Sequence, residues 1–187
     1  GFVDQDNINK AIASFLRTIV SKDSKYDLSL RGQAALSPLE QEGFDLVFVT
    51  ERGDCFHCHG VYPFMTDNDF HDNGLQANVT TIGDYIDKGL GGGNGVSTDI
   101  GKMKAPPLRN LSYTAPYMHD GRFATLDDVI DFYSEGVNVT PNIDPLMKKA
   151  QQGGMQLTIQ EKAALKAFLL TLDDPTFINN EEFKSPF

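Results

Sequence analysis

The chain has only two cysteines, and they stand in the run Cys55-Phe56-His57-Cys58-His59, which limits the possible fold more than any other feature. On a helical turn, positions i, i+3 and i+4 share a face, so two sulfurs and one imidazole point the same way while Phe56 and His57 point elsewhere. C-x-x-C-H is the attachment sequence for c-type haem, in which the sulfurs reach the two vinyl groups of one porphyrin and the adjacent histidine reaches its iron. The pattern therefore predicts one covalent haem c on Cys55, Cys58 and His59. A zinc site would need two further ligands, and His57, His71 and His119 offer no second metal-spaced pair. A thioredoxin-like dithiol would follow a strand in a βαβ setting, which the surrounding pattern lacks.

Helical periodicity dominates the rest of the chain. Ile8, Ala11, Ile12, Phe15, Leu16 and Ile19 fall on one face, with Asp6 or Asn7 placed to cap. Ser37, Pro38 and Glu40 form a capping box that opens a helix through Phe44, Val47 and Phe48, expected to end near Gly53. Thr125 caps a short helix whose apolar face is Leu126, Val129, Ile130 and Tyr133, so Tyr133 points inward and Gly136 terminates. Thr158 and Glu161 open the last helix, which carries Leu165, Phe168, Leu169 and Leu172 before Pro175. Between Cys55 and Thr125 the chain is rich in Gly, Pro, Asn and Asp; Gly89–Gly95 and Pro106-Pro107 read as loops, and the glycine loop lacks the following helix that phosphate binding requires. Nothing alternates long enough to demand a sheet. The expectation is an all-α, cytochrome c-like haem domain with long loops.

At 187 residues the chain is long enough for one domain or a little more. Its net charge of -10 argues against nucleic acid or an anionic membrane as the main partner and favours a basic protein. No run approaches the roughly 18 apolar residues of a membrane span, and the opening GFVDQDN is not a signal peptide, so any export signal is expected to have been removed or to lie outside this chain. Laid over one another, AIASFLRTI (11–19) and ALKAFLLTL (164–172) share Ala, Phe, Leu and Thr, with Ile matched by Leu twice. That similarity reads as duplication, each helix closing a domain of the same type. The residues alone leave the distal side of the iron open among Met65, Met103, Met118, Met147, Met155, His71, His119 and Tyr133.

Lys102 to Gly136 (KMKAPPLRNLSYTAPYMHDGRFATLDDVIDFYSEG), CFHCH and TIQEKAALKAFLLTL together resemble the C-terminal haem domain of the bacterial di-haem cytochrome c peroxidases and the related MauG-type enzymes. The likeness covers nearly the whole chain, and NINKAIASFLRTIVSKDSKYDLSLRG resembles the segment joining the two haem domains. The resemblance implies that residues 1–30 are the closing helix of a missing N-terminal haem domain plus a linker, and that 31–187 form the haem domain. It implies electron transfer from a small donor protein, a cytochrome c or cupredoxin, toward a peroxide-reducing haem elsewhere, in the periplasm. The alternatives are a MauG-type di-haem oxidase acting on a protein substrate and a stand-alone monohaem carrier.

In the peroxidases of this family the distal ligand is a methionine in the short helix after the APYxHDG segment. Tyr133 holds that place here, which is similar to the MauG-type enzymes. A phenolate oxygen is a hard donor that favours ferric iron and lowers the potential; Met147 and Met155 stay as alternatives. The likeness further implies that backbone carbonyls of Thr114 and Pro116 contribute to a calcium site between the two domains. Arg109 has the fork geometry to pair with a haem propionate, and His119 is expected to be structural or an electron-path neighbour.

Overall fold

The structure is a computed structural model and describes residues 3–50, 52–60, 62–63 and 65–185. Its first helix, α1 (Gln5–Thr18), begins at Asp4, whose carboxylate accepts the amide of Asn7 at 2.8 Å, so the cap lies two residues before the expected Asp6. The apolar stripe is present but unburied: Ile12 is 52% exposed and Leu16 60%. Within the stripe, Phe15 lies edge-on to Phe183, with centroids 6.3 Å apart.

A second helix, α2 (Lys25–Leu30), was not anticipated, although Ser24 and Asp27 form a capping box of the usual S-x-x-D spacing. Tyr26 enters the main core edge-on to Phe168, centroids 5.4 Å apart, and Asp27 is fully buried. Residues 21–27 thus pack against the body of the haem-motif domain. The packed body already includes Ser21, Lys22 and Asp23, which donate from one side chain and two backbone amides to Asp174 Oδ2.

α3 (Pro38–Phe48) follows the Ser37/Glu40 box as expected and stops at Val49, short of Gly53. Gly53 instead turns the chain back, donating its amide to the Leu46 carbonyl at 2.7 Å. The one-turn helix α4 (Phe56–His59) carries the cysteine motif. Two strands of two residues, β1 (Phe70–His71) and β2 (Met103–Lys104), pair antiparallel with Phe70 opposite Lys104 and His71 opposite Met103. They are too short to leave an alternation signal.

The glycine run expected as a loop is a short helix, α5 (Gly89–Asn94). Propensity opposes a helix there, but Gly91 presses against the backbone of Ile100, where a Cβ would lie 2.4 Å from the Ile100 nitrogen. Tertiary contact selects both glycine and helix. α6 (Leu126–Asp131), capped by the Thr125/Asp128 box, continues into a π turn over Phe132–Gly136 that carries Tyr133. α7 (Ile159–Leu170) starts from the Thr158/Glu161 box, and α8 (Pro175–Ile178) is capped by Asp174.

The main core joins α3 and α7 through Leu46, Val47, Ala164, Leu165, Phe168 and Leu169, with Tyr26, Met65 and Met155 around them. A smaller core contains Leu75, Phe132, Val137 and Ala150. Tyr133 packs against both. The two helices of similar sequence have different surroundings: α7 buries Ala164, Leu165, Phe168 and Leu169, and α1 buries nothing.

Candidate haem site

Cys55 starts the one-turn helix, and Cys58 and His59 follow on its face, all three half-buried. Both cysteines are free thiols. Burial pushes each thiol up to about 12, and nearby acids, Asp54 for Cys55 and Asp67 for Cys58, push the same way. These sulfurs therefore stay protonated at neutral pH and lack the thiolate character of a redox pair. Cys55 Sγ donates to the carbonyl of Gly53 at 2.8 Å.

His59 is held for metal binding. Its Nδ1 lies 3.2 Å from the carbonyl of Met65, and with the proton on Nδ1 donated to that carbonyl, Nε2 keeps the lone pair that a metal takes. Burial holds the imidazole pKa below its ordinary value, so the neutral, ligating form prevails. Asp67 braces the same turn through its amide, which donates to the carbonyl of Cys58 at 2.9 Å. Two unpaired thiols and a neutral imidazole on one turn fit the donor set that haem c requires.

Tyr133 lies in the same neighbourhood. Its hydroxyl oxygen accepts from Asn73 Nδ2 at 2.9 Å, and burial, opposed by that bond, pushes the phenol up to about 12, with the nearby thiols of Cys55 and Cys58 adding to the rise. Met118 Sδ lies 4.0 Å from the same Asn73 nitrogen. Met147 packs against the smaller core, as Tyr133 does. Met155 is buried in the main core, its amide donating to the Tyr133 carbonyl at 2.9 Å. Met65 is 1% exposed and offers its carbonyl to His59, while Met103 lies in β2.

The remaining histidines are engaged elsewhere. His71 meets Asp144 through Nδ1 at 2.7 Å and Asp67 through Nε2 at 2.8 Å. Although burial opposes the charge, these two carboxylates raise its pKa and favour an imidazolium with no lone pair to offer. Cys58, Asp67 and His71 bring their ligand atoms within 4.8 Å of one another, a grouping not foreseen from spacing, but the double clamp on His71 opposes metal binding there. His57 Nε2 is buried 3.2 Å from Asp54 Oδ1 without hydrogen-bond geometry. His119 sits 3.5 Å from Asp87.

Arg109 has a carboxylate partner within the chain itself. Its two Nη atoms donate to the two oxygens of Asp27, each at 2.8 Å, and its Nε donates to the carbonyl of Pro63. A guanidinium this deeply buried needs a compensating carboxylate, and Asp27 of α2 supplies it. The pair ties α2 to the segment just after the cysteine motif. Thr114 and Pro116 lie exposed after a 3-10 turn at Leu111–Tyr113.

A mainly helical, cytochrome c-like fold with a C-x-x-C-H turn near a half-buried tyrosine defines the class. Comparison with known proteins narrows it. No family model matches the chain. Cytochrome-c peroxidase IdrP2 of Denitromonas iodatirespirans is 32% identical, over 86% of this chain and 47% of the relative. Methylamine utilization protein MauG of Methylorubrum extorquens is 33% identical, over 89% of this chain and 44% of the relative. A crystal structure of a MauG-like protein associated with microbial copper homeostasis superposes with a TM-score of 0.85 at 37% identity, covering 99% of this chain and 62% of that one. The chain belongs to the bacterial di-haem cytochrome c peroxidase and MauG family. It spans about half the length of the curated relatives it matches.

Proposed function

We propose that this chain is the C-terminal, electron-transfer half of a di-haem oxidoreductase of this family, carrying one covalent haem c on Cys55, Cys58 and His59. The observation that carries the reading is the attachment turn itself: Cys55, Cys58 and His59 on one helical turn, the cysteines not joined to each other, and the imidazole Nδ1 3.2 Å from the Met65 carbonyl. Haem c, when bound, supplies one-electron chemistry at iron. Cys55 and Cys58 would anchor it covalently, and His59 and Tyr133 would supply the iron ligands, with the Tyr133 oxygen steadied by Asn73.

The unburied stripe of α1, similar in sequence to the buried face of α7, supports a partner haem domain that covers it. Hard carbonyl oxygens of Thr114 and Pro116, exposed in one turn, suit a calcium ion completed by that partner. The chain's charge of -10 suits a basic donor protein such as a small cytochrome c or cupredoxin. The family and the covalent haem suit the periplasm.

Tyr133 in place of methionine favours a second reading, oxidation of a protein substrate in the MauG manner, because a phenolate stabilises ferric iron against simple electron acceptance. Mass spectrometry of the chain, made with c-type maturation machinery, tests the cofactor: one added haem that survives acid acetone is expected, and a bare polypeptide would refute the reading. Peroxide titration of the full di-haem parent separates the two activities. Turnover with a reduced donor supports the peroxidase, and persistent high-valent iron consumed by a protein partner supports the MauG type.

A further inference from the structure

Asn73 extends one nitrogen toward two different side chains. Nδ2 donates to the hydroxyl oxygen of Tyr133 at 2.9 Å and lies 4.0 Å from Met118 Sδ. A hard oxygen and a soft sulfur, the two donor types that prefer opposite oxidation states of iron, therefore converge on one amide. Met118 is also held in an unusual conformation, with φ of 71° in a turn closed by the Gly121 amide on its carbonyl at 3.3 Å. A left-handed backbone at a long apolar side chain is uncommon and is retained where the surrounding structure imposes it. Here it accompanies a side chain that packs, as Tyr133 does, against the smaller core.

We propose that Met118 is a second distal ligand that exchanges with Tyr133 as the iron changes oxidation state, the phenolate oxygen binding ferric iron and the thioether sulfur binding ferrous iron. The inference rests on Tyr133 being the distal ligand of the ferric form. On reduction, one electron from a donor protein, or from dithionite in vitro, enters the iron. The iron–oxygen bond breaks, the phenolate takes one proton from water, and an iron–sulfur bond to Met118 forms. Oxidation reverses each change. Asn73 keeps its bond to the phenol oxygen in both states, so the departing tyrosine stays in register for return.

The test uses the haem-loaded chain and near-infrared magnetic circular dichroism with optical spectra in both oxidation states. The wild type should show a methionine-ligated ferrous form, and its absence would overturn the proposal without any variant. Met118→Leu, close in volume, should keep the ferric spectrum, lose the ferrous thioether signature and bind carbon monoxide faster when reduced. Its reduction potential should fall. A ferrous spectrum unchanged by Met118→Leu, or a thioether signature lost instead in Met147→Leu or Met155→Leu, would overturn the exchange. Tyr133→Phe separates the two layers: an unaltered ferric spectrum removes the reading of Tyr133 on which the exchange depends, whereas an altered one leaves the Met118 result to decide.

Discussion

Arg109 grips both carboxylate oxygens of Asp27 at 2.8 Å, joining the PPLRN segment to a helix 82 residues earlier in the chain, and both side chains are almost fully buried. Ser24 adds its hydroxyl at 2.7 Å and its amide at 3.0 Å. Burial alone would raise the Asp27 pKa; the Arg109 and Ser24 hydrogen bonds outweigh it and lower the pKa. Arg109→Leu should leave Asp27 buried without its counter-charge and destabilise the fold by about 3–5 kcal/mol. Urea denaturation of the haem-loaded protein measures this, and a loss below about 1 kcal/mol would show that the pair is solvated.

Asp174 predicts an acid-dependent loss of stability. Its carboxylate accepts amides of Lys22, Asp23 and Phe177 and the hydroxyl of Thr176. These bonds overcome burial and bring the pKa down to about 2. A carboxylate with a lowered folded pKa contributes stability that is fully present above its unfolded value of about 3.9 and is lost as pH falls through the folded one. Asp174→Asn should cost about 1–2 kcal/mol at pH 7 and flatten the stability curve between roughly pH 4 and 2. Parallel wild-type and variant curves over that window would contradict the assignment.

Gly43 permits α3 and α7 to touch. A Cβ at this position would lie 2.0 Å from the Ala164 carbonyl oxygen and 2.7 Å from the Phe168 Cβ. Backbone cannot rotate out of the way as a side chain can, so Gly43→Ala should destabilise by about 3 kcal/mol. Thermal unfolding of the variant reports it. A midpoint within 1 °C of wild type would mean that the two helices are further apart in solution.

The exposed stripe of α1 predicts a separation of effects. Ile12→Gln with Leu16→Gln removes apolar groups that the chain itself does not bury, so its own stability should stay within about 0.5 kcal/mol of wild type. In the di-haem parent the same double change should weaken docking of the two halves, seen as faster proteolysis between them. A large stability loss in this chain alone would mean that α1 packs on its own body.

Tyr133→Phe tests the distal site. The covalent haem mass should be unchanged, while the ferric spectrum shifts because the hard oxygen donor is gone. Asn73 then loses its 2.9 Å acceptor, so a smaller loss of stability, about 1 kcal/mol, should accompany the spectral change. Identical ferric spectra would remove Tyr133 from the iron.

Local grammar was legible wherever the relevant atoms lie within a few residues. The cysteine turn, the boxes at Ser37, Thr125 and Thr158, and the inward aspect of Tyr133 all follow from helical spacing and short-range hydrogen bonds. The Ser24/Asp27 box that opens α2 is a local signal of the same kind.

What sequence spacing could not supply were partners set by the path of the chain. It determined which residues can grip a porphyrin and which helices have an apolar face, because periodicity and capping depend on neighbours along the backbone. Only the tertiary structure decided that Arg109 faces Asp27, that His71 is clamped by Asp67 and Asp144, and that Asn73 links Tyr133 with Met118. It also decided that the stripe of α7 is covered while that of α1 is not. The physical reason is that buried charge and apolar surface are satisfied by whatever the fold brings into contact, and such contacts leave no mark in spacing.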